Sequence, residues 1–328
     1  MSRKIPLVCS APLHFLPEVK AELRRDFALT EAFLRPKAEL IKALRGARAL
    51  ITDPGAPYRV DRAALAGGPA LEIVVTPSTG SDHIDRDYCR ERKIRVVSLR
   101  GHERVIREIH ASAEFSFALL LALIRRLPAA ARAASRGIWR EAEDRFRGIE
   151  LSGRRVSLIG YGRIGRKMSR YLNAFGARVT AYDPKVRVTD PWAAQAPSLR
   201  EALRSAEIVS VHVHLDPDTE GMFGPRQFSW MPKGCWFLNT SRGGLVDEEA
   251  LLGALGSGRL AGAAVDVIRG EQGDGPSRSP LVRHSRSHDN LIVTPHIAGL
   301  TVDSQRKAAR FAAAQLRSHF GLAAREDS

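Results

Sequence analysis

The sequence predicts an α/β protein with doubly wound parallel sheets and two domains, and three observations support this prediction. Short apolar runs alternate with helical patterns along most of the 328 residues, as in parallel sheets whose strands are joined by helices. A glycine-rich turn at residues 160–165 lies inside one strand–helix–strand segment. The chain is also long for one domain and comfortable for two.

Residues 1–100 form the first alternating region. Apolar runs bounded by polar or turn residues predict strands, and a helical apolar spacing predicts a helix. These elements are strands at 5–9, 49–52, 71–76 and 94–99 and a helix at 17–26. A glycine-containing loop, residues 77–85, follows the third strand at its carboxyl end, where open α/β sheets bind ligands. We interpret this loop either as a cradle for an anion or carboxylate or as an ordinary turn capped by Asp82.

Residues 109–127 predict a helix that is apolar on most of its sides and is stopped by Pro128. A helix of this kind is usually buried between other elements. Residues 129–150 predict a second helix, rich in Ala and Arg, and a linker containing Trp139. The sequence leaves open whether residues 109–137 form a core between domains or an interface between two copies of the chain.

The turn that begins at Gly160 predicts a dinucleotide site. It follows an apolar strand at 156–159 and opens a helix whose apolar residues recur every three or four positions. Gly160 allows the tight turn, Gly162 lets the backbone approach a pyrophosphate, and Gly165 lets helix and sheet pack closely. The N–H groups and partial positive charge at the start of this helix suit a phosphate.

Asp183 ends the next strand, residues 178–182, and lies 18 residues past Gly165. A carboxylate at this position accepts hydrogen bonds from an adenosine ribose diol. Because the same carboxylate repels a 2′-phosphate, the sequence predicts NAD as the cofactor in preference to NADP. Arg187 lies nearby and weakens this preference.

After Asp183 the alternation of strands and helices resumes. The remaining predicted elements are strands at 208–213, 234–238, 261–267 and 291–294, helices at 199–205, 247–253 and 301–319, and a long polar loop at 270–290. Within that loop, His284 and His288 could face one metal ion only if the segment were helical. The surrounding serines indicate a solvated loop instead, and no metal site is predicted.

Three ionisable residues follow strands after the glycine-rich turn: Arg242, Glu271 and His296. Strand ends are where a doubly wound sheet binds its ligands. A histidine exchanges a proton near neutral pH, a neighbouring carboxylate orients its ring and favours the protonated form, and a guanidinium grips a substrate carboxylate. These residue types suit hydride transfer at C2 of a 2-hydroxy acid, although each could equally be an ordinary loop or turn residue.

The composition excludes several classes of protein. The net charge is +15, but the arginines are scattered, and an aromatic content of 6% is poor for base stacking, so nucleic-acid binding is not expected. Three widely spaced cysteines predict buried free thiols in a reducing compartment. The N-terminus lacks a signal-peptide pattern and the most apolar run is too short to span a bilayer, so we expect a cytoplasmic protein without membrane contacts.

Several segments resemble the D-isomer-specific 2-hydroxyacid dehydrogenase family, which includes D-3-phosphoglycerate, D-lactate, glycerate and formate dehydrogenases. They are STGSDHID, ASAEFSFALLLALIRR, LIGYGRIG with Asp183, IVSVHVHLDPDTEGMFG, FLNTSRGGLVDEEALLGALGSGRLAGAAVDV and VTPHIAG. The resemblance implies two Rossmann-like domains, with the substrate domain split around an inserted NAD-binding domain. It places the substrate-binding domain at residues 1–103 and 300–328 and the NAD-binding domain at residues 104–299.

The resemblance also implies roles for single residues. The catalytic set would be Arg242, Glu271 and His296. Backbone groups of Thr79 and Gly80 would meet the substrate carboxylate together with Arg242. The cofactor would contact the glycine-rich turn, the acid at the second strand and two later strand ends, which are Gly160, Gly162, Arg163, Ile164, Gly165, Asp183, Thr240 and Asp266.

The activity that the resemblance implies is NAD-dependent hydride transfer at C2 of a D-2-hydroxy acid or 2-oxo acid, by a homodimer. Arg59, Arg100, His102 and Arg104 suggest that the small-molecule substrate carries a second anionic group such as phosphate. A non-catalytic NAD(H)-sensing co-regulator on the same fold is the alternative.

The chain also departs from the family pattern in places. Residues 268–270 are Ile-Arg-Gly where Phe and acids are usual, and the segment 99–110 is longer than in most relatives. These departures leave the identity of the substrate open.

Overall fold

A computed structural model describes residues 4–271 and 275–323. The chain divides into two compact units, the first formed by Met1–Ile109 with Leu300–Ser328 and the second by His110–Gly299. The first unit is discontinuous in sequence because the second is inserted between its strands and its closing helix. The predicted domain boundary at residues 103 and 104 lies six residues before the boundary between these units.

The strands, numbered along the chain, are β1 Ile5–Cys9, β2 Phe27–Glu31, β3 Ala49–Ile51, β4 Ile73–Val75, β5 Arg95–Val97, β6 Arg155–Ile159, β7 Arg178–Tyr182, β8 Ala193–Gln195, β9 Ile208–Val211, β10 Cys235–Asn239, β11 Leu260–Val265 and β12 Leu291–Val293. The helices are α1 Pro17–Asp26, α2 Lys37–Leu44, α3 Arg62–Ala66, α4 Arg86–Glu91, α5 Glu103–Arg107, α6 Ala111–Ile124, α7 Leu127–Ala134, α8 Glu143–Phe146, α9 Arg163–Ala174, α10 Leu199–Arg204, α11 Pro225–Trp230, α12 Glu248–Gly256, α13 Gly275–Arg278, α14 Pro280–Ser285 and α15 Val302–His319.

The first unit is built on a parallel sheet in the order β2-β1-β3-β4-β5. Its short central strands are buried on both faces, which explains their near-continuous apolar sequences. Helix α1 starts with Pro17 and buries Val19 and Leu23. Helix α15 begins after the N-cap Thr301, whose side chain accepts a hydrogen bond from the backbone N–H of Ser304. Both helices contribute to the same core cluster.

The segment 99–110 belongs mostly to this first unit and includes the short helix α5. Ile106 and Ile109 are buried in the core cluster that α15 also lines. The His102 ring packs edge-on against Phe311, with 4.6 Å between the ring centroids. The segment therefore has a packing role, and its predicted effect on substrate choice stays a prediction.

The second unit is built on a parallel sheet in the order β12-β11-β10-β9-β6-β7-β8. Strand β6 pairs with β7 on one side and with β9 on the other. The chain therefore reverses its direction of travel across the sheet at β6, which is where such sheets open a ligand-binding crevice at the strand ends. Two apolar clusters cover the two faces of this sheet. The predicted fold class, two parallel-sheet α/β units, is confirmed.

The long apolar helix predicted at 109–127 is interrupted earlier than expected. Helix α6 ends at Ile124, and Arg126 adopts a left-handed conformation with φ of 51°. Pro128 then occupies the first turn of α7, where its missing N–H costs no hydrogen bond. Pro128 therefore belongs to the start of a helix, and the prediction that it stops one was wrong.

The prediction of an irregular polar loop at 270–290 was also wrong for much of the described part. This segment contains α13 and α14, while residues 272–274 lie outside the described residues. The Ser279 side chain caps α14 by accepting from the backbone N–H of Val282, Pro280 starts the helix, and Leu281 is buried. A good cap and one apolar anchor thus form a helix within a polar sequence.

Within the described residues, no helix combines the length and the apolar character needed to cross a membrane.

Candidate functional site

The glycine-rich turn between β6 and α9 has room for a ligand at one glycine and none at the other two. Gly160 has φ of +96°, and a Cβ there would lie 2.4 Å from the His212 carbonyl oxygen. A Cβ on Gly165 would lie 2.3 Å from the Gly160 carbonyl oxygen. At Gly162 no heavy atom lies within 4 Å of that position. The first and third glycines are therefore needed by the fold, whereas the second leaves open space beside the backbone.

Helix α9 starts at Arg163, immediately after this open position, and its buried side includes Met168 and Leu172. Its N-cap residue, Gly162, has no side chain and supplies no side-chain hydrogen bond, and the N–H groups and partial positive charge at a helix start favour an anion. Arg163 and Ile164 are half-buried at the first two helical positions. This arrangement fits the pyrophosphate of a dinucleotide.

Asp183 lies at the carboxyl end of β7, where its carboxylate holds the neighbouring backbone. One oxygen accepts from the backbone N–H of Tyr161 at 2.8 Å, and the other accepts from those of Lys185 at 2.8 Å and Val186 at 3.0 Å. The carboxylate is thus fixed beside the glycine-rich turn. A carboxylate has about four acceptor sites, so one site remains on Oδ2 for a hydroxyl of a ribose diol.

Tyr161, between the first two glycines, is a structural anchor that the sequence analysis missed. Its side chain is fully buried, and its hydroxyl donates to Asp190 Oδ2 at 2.7 Å and lies 3.0 Å from Ser169 Oγ. Burial raises the pKa of Tyr161 to about 12, so the phenol stays protonated and keeps donating. In the sequence, this role was indicated by the presence of an aromatic residue within a glycine-rich turn.

Glu271 and His296 form the central contact of the candidate catalytic set. Glu271 Oε1 lies 2.8 Å from His296 Nδ1, and the two side chains are 32% and 34% exposed. Burial alone would lower the pKa of His296, but the hydrogen bond and the negative charge of Glu271 outweigh it, so the pKa is raised. Because Nδ1 faces the carboxylate, the other ring nitrogen, Nε2, is the one available to a substrate.

The turn that carries His296 is held by Asp266, a carboxylate with no exposed surface. Asp266 Oδ1 accepts from Thr294 Oγ1 at 2.6 Å and from the Ile297 N–H at 3.0 Å, and Oδ2 accepts from the Ala298 N–H at 2.8 Å. The His296 backbone N–H donates to the Asp266 carbonyl oxygen at 2.8 Å, and His296 has φ of 55°. Asp266 thus fixes the histidine, and its predicted contact with a nicotinamide stays a prediction.

Arg242 lies in the loop after β10, in a backbone arrangement set by Asn239. The buried Asn239 side chain donates to the Arg242 carbonyl oxygen at 2.9 Å and accepts from the Ser241 N–H at 3.0 Å. The Arg242 guanidinium donates to the Ser241 carbonyl oxygen at 2.8 Å. Burial and the positive charge of Arg242 both lower the pKa of His296. The hydrogen bond and charge of Glu271 raise it by more.

Thr240 is placed by a contact that the sequence did not reveal. Its hydroxyl lies 2.6 Å from the hydroxyl of Ser116, which is fully buried on α6 and donates to the Ser112 carbonyl oxygen. A serine within an otherwise apolar stretch of helix was the only signal.

Thr79 and Gly80 lie in the first unit, in the loop that follows β4. The Ser78 hydroxyl donates to the Gly80 carbonyl oxygen and lies 3.1 Å from Thr76 Oγ1. These contacts fix the loop locally while Thr79 and Gly80 remain half-buried. Their role in binding a carboxylate stays a prediction.

His284 and His288 stack on each other, with ring centroids 3.8 Å apart and an interplanar angle of 8°. His284 Nε2 contacts Asn290 Oδ1 at 3.1 Å. Parallel stacked rings do not aim their nitrogens at one point, as a shared metal would require. Across residues 4–271 and 275–323, no group of three or more His, Cys, Asp or Glu side chains is placed to hold a metal ion.

Comparison with known families gives a match to the second unit. The family described as "D-isomer specific 2-hydroxyacid dehydrogenase, NAD binding domain" matches residues 117–298. This range includes the glycine-rich turn, Asp183 and the strand ends that carry Arg242, Glu271 and His296.

Curated relatives match over most of the chain. D-3-phosphoglycerate dehydrogenase of Methanocaldococcus jannaschii is 32% identical over 284 residues, which cover 86% of this chain and 51% of that protein. Glyoxylate reductase of Thermofilum pendens is 32% identical over 296 residues, covering 85% of this chain and 80% of that protein. The chain spans about half the length of the D-3-phosphoglycerate dehydrogenases that it matches.

Solved structures match both units. The TT0316 protein of Thermus thermophilus has a TM-score of 0.84 and 32% identity, covering 97% of this chain and 98% of that one. D-Lactate dehydrogenase of Aquifex aeolicus, complexed with NAD and lactic acid, has a TM-score of 0.79 and 26% identity, covering 96% of this chain and 95% of that one.

Proposed function

This chain belongs to the D-isomer-specific 2-hydroxyacid dehydrogenase family and carries its NAD-binding domain, and we propose that it interconverts a D-2-hydroxy acid and the corresponding 2-oxo acid. The observation that carries the proposal is the hydrogen bond between Glu271 and His296. A histidine that is one-third exposed and has a raised pKa beside a carboxylate is a suitable acid–base group near neutral pH. It also favours an enzyme over an NAD(H) sensor, because binding a cofactor alone needs no such pair.

Each part of the proposed site has a separate role in the reaction. The open position at Gly162, the start of α9 and Asp183 bind the dinucleotide, which when bound supplies or accepts the hydride. Arg242 grips the substrate carboxylate and polarises the C2 carbonyl, because a guanidinium donates in a planar fork. In the direction of reduction, His296 donates a proton from Nε2 to the carbonyl oxygen, and in oxidation it accepts that proton. Glu271 holds the ring and stabilises its positive charge.

The test is NADH oxidation with a panel of 2-oxo acids, comparing the wild-type chain with His296→Ala and Arg242→Ala. Loss of a general acid typically costs roughly 10²- to 10⁴-fold in rate, so we expect a fall of that size for His296→Ala. Arg242→Ala should raise KM and lower kcat. His288→Ala is the matched control, because its ring stacks on His284, which contacts Asn290 at the amino end of β12, and it should keep the wild-type rate. A His296→Ala variant with full activity would contradict the proposal.

The same panel addresses the second anionic group of the substrate. Arg59, Arg100 and Arg104 are exposed in the first unit, and these positive charges support a substrate that carries a phosphate besides its carboxylate. Phosphorylated 2-oxo acids should then be preferred over unphosphorylated ones, with the preference weakening as salt screens the charges. Equal turnover of both would restrict the proposal to simple 2-oxo acids.

We also propose that the protein forms a homodimer through helices α6 to α8. Trp139 and Leu127 are 68% and 54% exposed, and Trp139 lines an open groove of about 370 Å³ together with Ala130, Ile138 and Phe146. Large apolar side chains on such a surface are typical of subunit contacts. Sedimentation of the wild-type chain should give the mass of a dimer, and Trp139→Asp should shift it towards the monomer.

A further inference from the structure

Arg269 connects two of the loops that carry the proposed catalytic residues. It lies on the segment after β11, two residues before Glu271, and its side chain is 44% exposed. Its Nε donates to the Val246 carbonyl oxygen at 3.0 Å, and its Nη2 donates to the Gly244 carbonyl oxygen at 3.1 Å. Both carbonyls belong to the loop that follows β10 and carries Arg242. One guanidinium therefore joins the loop of Arg242 to the segment of Glu271.

The backbone of the two segments is joined at the same place. The Arg269 N–H donates to Glu248 Oε1 at 2.7 Å, and Glu248 is 8% exposed at the start of α12. A Cβ on Gly243 would lie 2.0 Å from the Ile268 carbonyl carbon and 2.6 Å from the Arg269 nitrogen. The two segments are thus in direct backbone contact, and Gly243 cannot be replaced without separating them.

A third loop, which follows β9, also contacts Gly244 and Arg269. The Gly244 carbonyl oxygen that accepts from Arg269 also accepts from the Gly221 N–H at 2.8 Å. Arg269 Nη1 lies 3.9 Å from Glu220 Oε1. Since β9, β10 and β11 are neighbours in the sheet, Arg269 lies where the loops from three adjacent strand ends meet.

We propose that Arg269 is a positioning residue that sets the separation between the Arg242 guanidinium and the Glu271–His296 pair. It acts through its backbone partners and need not touch substrate or cofactor. A fork that donates to two carbonyls fixes both distance and orientation, which a single flexible ammonium cannot do. The inference rests on the proposed function for its kinetic part, whereas the effect on His296 can be measured without turnover.

Arg269→Ala and Arg269→Lys are the two informative variants. A displacement of about 1 Å at a catalytic group can cost on the order of 100-fold, so we expect kcat/KM for the best 2-oxo acid to fall roughly 10- to 100-fold in Arg269→Ala. KM should rise because Arg242 binds the carboxylate less well, while the Kd for NADH, measured by fluorescence, should stay within about twofold. Arg269→Lys keeps the charge and one donor direction and should fall between Arg269→Ala and the wild type.

The measurement that needs no activity is an NMR titration of His296 in the full chain, with its resonance assigned from a His296→Gln variant. Loosening Glu271 should lower the pKa of His296 in Arg269→Ala and less so in Arg269→Lys. Arg259→Ala is the matched control, because Arg259 also donates to a backbone carbonyl, that of Met231 at 3.1 Å, but lies at the amino end of β11. It should leave both the titration and KM unchanged.

The outcomes separate the two proposals. A wild-type chain that turns over no 2-oxo acid contradicts the proposed function, yet a shifted His296 titration in the Arg269 variants still supports the positioning role. If Arg269→Ala fails to fold, Arg269→Lys carries the test. A folded Arg269 variant with the wild-type pKa of His296 and the wild-type KM overturns the inference, as does an equal shift in Arg259→Ala.

Discussion

Two charge pairs of nearly equal length, one in each unit of the chain, differ mainly in their exposure. In the first unit, Arg317 Nε lies 2.7 Å from Asp26 Oδ2, and the side chains are 9% and 12% exposed. In the second unit, Glu271 Oε1 lies 2.8 Å from His296 Nδ1, and the side chains are 32% and 34% exposed. Breaking a buried pair is costly because the remaining charge is poorly solvated, whereas water reaches the second pair and its proton can exchange. From this comparison we expect the first pair to stabilise the fold and the second pair to exchange a proton in the proposed reaction.

The surroundings of the two pairs support this difference. Arg317 lies on α15 and Asp26 ends α1, and both helices line one core cluster. His296 instead lies on a turn at a strand end, and the buried carboxylate beneath it, Asp266, supports that turn by accepting from three of its donors. The proposed separation of support from chemistry gives the buried Asp266 the structural role and the more accessible Glu271–His296 pair the proton transfer.

The largest effect is expected for Asp266→Ala, which removes the support beneath His296. Three donors would lose a charged acceptor, and only one of them, the Ala298 N–H, makes a fully buried contact. Hydrogen bonds to charged groups contribute about 1.5–3 kcal/mol each, and water can partly replace the two half-buried ones. We expect the free energy of unfolding to fall by about 4 kcal/mol and the activity to be lost as well. Denaturant unfolding and NADH oxidation measure the two effects on the same sample.

Asp266→Asn is the control for this prediction. An amide keeps one acceptor oxygen, and it turns an NH₂ group towards one of the three donors, so its loss of stability should be smaller than that of alanine. If Asp266→Ala kept the wild-type stability, the three hydrogen bonds would contribute nothing net, and the proposed separation of support from chemistry would fail.

Arg317→Ala should affect stability without affecting the chemistry. Removing one partner of a buried ion pair costs about 3–5 kcal/mol, and the partial exposure of Asp26 places the expected loss at the lower end, about 3 kcal/mol. The activity of the folded fraction should not change, because both residues lie in the helical layer of the first unit. Thermal unfolding and kcat measured well below the midpoint separate the two quantities.

Arg306→Ala is the matched control, since it breaks an exposed pair between the same two helices. Arg306 Nε lies 2.8 Å from Glu18 Oε1, and the side chains are 36% and 38% exposed. Exposed ion pairs contribute little to stability because water and salt screen them. The free energy of unfolding should therefore fall clearly less in Arg306→Ala than in Arg317→Ala. Equal losses of stability in Arg306→Ala and Arg317→Ala would show that burial does not distinguish the two pairs.

Much of the fold could be predicted because its signals are local. Three elements have the bounds predicted from the sequence, namely β1, α1 and β7, because an apolar run or a proline at the first helical turn marks their ends. Strand β2 gave no such signal, since Phe27 follows Asp26 without a turn residue between them. Helix α14 was hidden by its polar sequence, and its formation depends on the single buried contact of Leu281.

The candidate site could be predicted in part for a different reason. Parallel neighbours bring their carboxyl ends to one edge of a sheet, so ionisable residues after β10, β11 and β12 could be expected near one another. The supports of the site could not, because Arg269 and Glu248 contact other loops at separations that follow no period. Tyr161 and Ser116 likewise have partners set by tertiary packing, and only their unusual residue type gave any indication.

Glu271→Gln should affect the pH dependence and leave most of the stability in place, which is the opposite result to Arg317→Ala. Burial lowers the pKa of His296, but the hydrogen bond and charge of Glu271 raise it above the ordinary value. Reduction needs the protonated ring, so its rate should be constant at low pH and fall as the pH rises through this raised pKa. Oxidation needs the neutral ring, so its rate should rise over the same range.

Without the negative charge of Glu271 the pKa of His296 falls, and both limbs should move to lower pH. At about pH 8 the reduction rate of Glu271→Gln should then drop by roughly 10- to 100-fold, while oxidation should lose less because more of the ring is already neutral. The free energy of unfolding should fall by about 1 kcal/mol or less in this variant, because the pair is one-third exposed. The decisive measurement is the pair of pH–rate profiles in the two directions. If the profiles of the variant coincide with those of the wild type, the carboxylate does not control the proton of His296, and this accessible pair would be no more than a surface ion pair.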